Sequence, residues 1–111
     1  MIRVNSIHRN FLLPFVFGNS KRIVVLEILL KNFAENENSW LNVSEIARNG
    51  KISTSTAKKI VDELILADLI SQRENTYQTP VKNPLKEVHL NSISKIAREL
   101  IFFYQKLRGL L

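Results

Sequence analysis

The chain has 111 residues, 45% of them hydrophobic, with no cysteine and a formal charge of +6. That length holds one modest hydrophobic core, and the composition excludes disordered and collagen-like classes. The absence of thiols excludes disulfide staples and thiolate metal sites, while the positive balance points to an anionic partner such as nucleic acid or a membrane surface.

Residues 1–18 mix apolar and polar positions without a clean period, and Pro14 limits any helix that crosses it. An arm or short helix is expected there. Its most apolar run, Phe11 to Phe17, has seven residues, far short of the roughly 20 a spanning helix needs. A signal peptide would need a longer apolar region and a small-residue cleavage site, and the flanking residues do not supply that site. A soluble, cytoplasmic protein is expected, with no membrane partner.

Asn19 or Ser20 is placed to cap a first helix, in which Ile23, Leu26, Ile28, Leu29, Leu30 and Phe33 recur at helical spacing. Trp40 and Leu41 then suit a short extended segment. Asn42 with Glu45 has the arrangement of a capping box and predicts a short helix that buries Val43, Ile46 and Ala47 and ends at Gly50 as its C-terminal cap. Lys51 and Ile52 turn the chain.

Ser53 caps the next helix, whose apolar positions Ala57, Ile60, Val61, Leu64 and Ile65 form one stripe. Its opposite face carries Thr54, Ser55, Lys58, Lys59 and Asp62. Beyond it, Leu69 to Arg73 and Thr76 to Thr79 read as a hairpin turning at Glu74 and Asn75. Pro80 and Pro84 bracket a linker. Asn91 or Ser92 then caps a last helix with a broad apolar face: Ile93, Ile96, Ala97, Leu100, Ile101, Phe103, Tyr104 and Leu107.

Two helices joined by a tight turn containing glycine form a helix-turn-helix signature, and a hairpin directly after makes it a winged one. The fold class expected is mainly α with a small β-hairpin wing, divided into an arm (1–18), a winged helix-turn-helix domain (19–80), and a linker with a dimerisation helix (81–111). The stretches "FGNSKRIVVLEILL" and "LNVSEIARNGKISTSTAKKIVDELILADLISQRENTYQTP" resemble the winged-helix transcription regulators of the broad MarR and ArsR type, particularly small archaeal and archaeal-virus versions. The resemblance covers roughly residues 15–80. It implies that the helix starting at Ser53 is the recognition helix.

The charge order of that helix leads to the same place. Residues 48–59 hold Arg48, Lys51, Lys58 and Lys59 and no acid, whereas residues 60–70 hold Asp62, Glu63 and Asp68 and no base. A helix N-terminus already favours phosphate through its free N–H groups and dipole, and small hydroxyls permit close approach to DNA. Thr54, Ser55 and Lys58 are expected at base edges. Lys51, Ser53 and Lys59 are expected at phosphates, Arg73 and Asn75 on the flanking backbone or minor groove, and Thr56 and Tyr77 complete the candidate set. With no Arg, Asn or Gln on the exposed face of this helix, the usual bidentate base readers are missing, and selectivity leans on DNA shape.

Double-stranded DNA is therefore the expected partner and transcriptional regulation the expected role, with repression favoured because no segment is left over to touch polymerase. Two other readings stand beside it: a partition or chromatin-coating protein, and a winged helix used as a protein-interaction module. The broad face of the last helix predicts a homodimer presenting two recognition helices; the alternative is that this helix folds back onto the first helix and the N-terminal arm. No enzyme activity, cofactor or metal is expected. Asp62 and Glu63 diverge by about 100° on a helix and cannot converge on one atom, while His8 and His89 are isolated.

Overall fold

The computed structural model describes residues 11–75 and 85–110. Its elements follow in the order α1 (Leu13–Phe17), α2 (Lys21–Glu35), β1 (Leu41–Asn42), α3 (Val43–Gly50), α4 (Thr54–Leu66), β2 (Ile70–Asn75), β3 (Leu85–Leu90) and α5 (Lys95–Leu110). The architecture is mainly helical with a small antiparallel sheet of order β1-β3-β2. Among the described residues, no helix is long and apolar enough to cross a membrane.

α1 begins with Pro14 in its first turn, where the missing N–H costs no helical bond, and stops at Gly18, whose φ of 91° suits glycine. α2 is the hub. The Ser20 hydroxyl accepts the Arg22 N–H at its start, and the helix packs against α1, α3, α4, α5 and β3. Because neighbours surround it, Val24 and Val25 are buried along with Ile28, Leu29 and Leu30, whereas Ile23, Leu26 and Phe33 are only half-buried.

α2 also buries a carboxylate. Glu27, at 0% exposure, accepts the Leu12 and Leu13 N–H groups at 2.6 Å each and the Tyr104 hydroxyl at 2.8 Å. A buried charge is tolerable only when hydrogen-bonded, and these donors tie the start of α1 and the middle of α5 to one side chain. Burial first, then the bond to Glu27, raises the Tyr104 phenol above its usual range.

The capping box at α3 forms as its residues predict: the Asn42 side chain accepts the Glu45 N–H at 2.8 Å and the Glu45 carboxylate accepts the Asn42 N–H at 3.0 Å. Gly50, expected as the C-terminal cap, lies instead within the helix. A Cβ there would stand 3.2 Å from both Ile28 Cδ1 and Val24 Cγ1, so its role is the close approach of α3 to α2. Lys51 takes the left-handed cap position, with φ 54°.

The hairpin differs from its expected form. β2 runs through Glu74 and Asn75, and its partner is β3, pairing Ile70 with Leu90 and Asn75 with Leu85. Leu85–Leu90 is thus a strand rather than linker; the expected second strand, Thr76 to Thr79, lies outside the described residues. Val88 and Leu90 are buried while Glu87 and His89 alternate with them, a period of two that the flanking prolines conceal in the sequence. β3 is the central strand, since Leu41 of β1 pairs with Val88 on its other side.

α5 starts at Lys95, where the Ser94 hydroxyl, two residues beyond Ser92 and three beyond Asn91, accepts the Ala97 N–H at 3.5 Å. Asn91 is engaged elsewhere, donating to the Asp68 side chain and accepting the Ile93 N–H. The helix divides the expected dimerisation set. Ala97 and Tyr104 are buried in the chain's own core, against the expectation of intersubunit contact, and Leu100, Ile101 and Leu107 are half-buried beside that core. Ile93, Ile96 and Phe103 stay exposed, as does Phe102.

Candidate nucleic-acid interface

α3 and α4 pack together through Ile46 and Ala47 on one side and Ala57, Ile60 and Val61 on the other, all buried. The link is Lys51 to Ser53, held tight by the Ile52 N–H donating to the Ala47 carbonyl at 3.0 Å. This fixes the direction in which the first turn of α4 leaves the domain.

Ser53 caps that turn. Its Oγ accepts the Thr56 N–H at 3.2 Å and donates to Thr56 Oγ1 at 2.7 Å, so both hydroxyls are engaged within the turn. Thr54 and Ser55 lie exposed beside them, and the N–H groups of a helix's first turn have no helical acceptor. Lys51, Lys58 and Lys59 are exposed too, and Arg48 at the end of α3, not among the expected contacts, adds an exposed cation. It could have been found from its place in the acid-free run of residues 48–59.

The acids at the far end of α4 are neutralised individually. Asp62 accepts Lys58 Nζ at 3.3 Å, and both oxygens of Glu63 receive the Arg22 guanidinium at 3.0–3.1 Å. The second pair joins α4 to α2 across 41 positions of sequence. Lys51 and Lys59 form no ion pair with a described carboxylate, so the exposed N-terminal half of α4 is a cationic surface with small polar groups.

Arg73 lies on the sheet with its side chain half-exposed. Its Nε donates to the Glu87 carboxylate at 3.0 Å, and its guanidinium lies 4.3 Å from the Trp40 ring centroid. The side chain is thus engaged on the sheet. Asn75 ends β2 in register with Leu85, and Tyr77 lies outside the described residues. The structure therefore gathers Lys51, Ser53, Thr54, Ser55, Thr56, Lys58 and Lys59 on one element boundary and leaves Arg73 on another.

No family model matches the chain, and no curated protein matches it.

Proposed function

We propose that the chain is a winged helix-turn-helix protein that binds double-stranded DNA as a transcriptional regulator, with α4 as the helix that enters the major groove. The observation that carries this reading is the polarity of α4: an exposed first half of hydroxyls and lysines, and acids only where lysine and arginine already neutralise them. A polyanion meets donors, cations and the positive end of a helix dipole there, and meets unpaired acid nowhere along that half. The turn before it and the strands β2 and β3 after it support this reading, because a winged helix-turn-helix has a tight turn before its recognition helix and a hairpin after it.

Thr54, Ser55 and Lys58 face the bases in this reading, while Lys51 and Lys59 hold phosphates. Ser53 and Thr56 act by fixing the turn. Since none of the exposed α4 side chains is a bidentate base reader, the protein selects sites partly by groove shape.

The functional unit is a homodimer. Phe15, Val16 and Phe17 of α1 and Ile96, Phe102 and Phe103 of α5 are all more than two-fifths exposed, and the Phe17 and Phe103 rings lie 6.1 Å apart, so the two helices share one apolar surface. A second copy covers such a surface and sets two recognition helices about 34 Å apart, one turn of DNA. Titrating fluorescent duplexes at increasing salt tests the reading. Log affinity should fall linearly with log salt, and absence of binding at about 50 mM salt overturns it.

A further inference from the structure

A second constellation lies beside the sheet, around His89 of β3 and Arg73 of β2. The Phe33 and His89 rings are 5.2 Å apart, His89 stacks on Trp40 at 4.9 Å and 24°, and the Arg73 guanidinium lies 4.3 Å from the Trp40 centroid. His89 Nε2 donates to the Glu37 carbonyl, which holds the loop after α2 against this ladder. Beside the rings is an open recess of about 660 Å³, lined also by Ser71, Asn91 and Ile93. Ile93 is 86% exposed at its edge, an apolar side chain with no packing of its own.

We propose that this recess binds a small planar aromatic cation. Its rings supply stacking faces, and among the described residues the cation lying against them is planar and delocalised, the guanidinium of Arg73. The charges set the sign of the ligand. Among the described residues, Arg73 is offset by Glu87 at 3.0 Å and Glu37 forms no ion pair, so Glu37 gives the lining a negative charge. A cationic ring gains attraction from Glu37 and from the electron-rich faces of Trp40 and Phe33; an anionic ring gains neither and meets Glu37. Ser71 offers a hydroxyl for a polar edge. The proposal does not rest on DNA binding, because the recess is built from α2, the sheet and the segment before α5.

The test uses the free 111-residue chain and three probes of nearly equal shape: benzamidinium, benzamide and benzoate. Trp40 is the only tryptophan, so its emission reports on the site directly. Benzamidinium should change that emission saturably within about 10 mM, as suits a ligand of so few atoms. It should bind roughly fivefold more tightly than benzamide, from cation–π and ion-pair contributions together, and benzoate should not saturate. Glu37→Gln, at an exposed position, should bring benzamidinium to within about twofold of benzamide. Equal affinity of benzamidinium and benzamide for the unaltered protein overturns the proposal, as does tighter binding of benzoate or no saturable change with any probe.

Discussion

The Tyr104 hydroxyl donates to the Glu27 carboxylate at 2.8 Å inside the core, joining α5 to α2 across 77 positions of sequence. Glu27 keeps only its two backbone donors when that bond is removed. Tyr104→Phe should therefore lower the unfolding free energy by about 1.5–3 kcal/mol, the range for a hydrogen bond to a buried charge. Urea denaturation of the two proteins measures it.

The same contact gives the fold a dependence on alkaline pH. Burial and the neighbouring carboxylate hold the Tyr104 proton in the folded state above the usual phenol range. Below about pH 10 the phenol is neutral in both states and its contribution is fully present. At higher pH the unfolded chain loses the proton while the folded chain keeps it, so stability falls by up to about 1.4 kcal/mol per pH unit. Unfolding curves from pH 8 to about pH 11 should show that loss in the unaltered protein, and Tyr104→Phe should lack this component.

Lys51 separates affinity from stability. At φ 54° it occupies a left-handed conformation that costs a side chain about 1–2 kcal/mol relative to glycine. Lys51→Gly should therefore raise thermal stability by roughly 1 kcal/mol while weakening DNA binding by the loss of one phosphate contact. Differential scanning calorimetry and a duplex titration on the same sample read both effects.

Phe102 reports on assembly. Its side chain is 60% exposed, so Phe102→Glu places a charge on the surface without touching the core. The substitution should convert a dimer to a folded monomer in sedimentation velocity and weaken binding to a two-half-site duplex at least tenfold, since the helices no longer act as a linked pair.

Local features of the chain were readable before any tertiary structure. The Asn42 and Glu45 capping box, the Ser53 cap and the α4 stripe of Ala57, Ile60 and Val61 each depend on residues within a turn or two, and each forms. What escaped depends on distant partners. β3 pairs with β1 across the whole of α3 and α4, and two prolines beside it read as linker. Glu27 sits between Leu26 and Ile28 like any polar position, and only donors 14 to 77 residues away make its burial possible. In the site, the order of hydroxyls, lysines and acids along α4 was visible because it is sequential. The engagement of Arg73 with Glu87 and Trp40 was not, since it is set by strand register.

The central claim is that the first half of α4 holds DNA phosphate and base edges, and Lys58→Ala combined with Lys59→Ala tests it most directly. Both side chains are exposed, so the fold should persist, with a stability change within about 1 kcal/mol. Measured against a salt series, the slope of log affinity on log salt should fall by about 1, for the phosphate contact of Lys59, and affinity at about 100 mM salt should drop at least tenfold. An unchanged slope and affinity in the folded double variant would contradict the assignment of α4 as the DNA-facing helix.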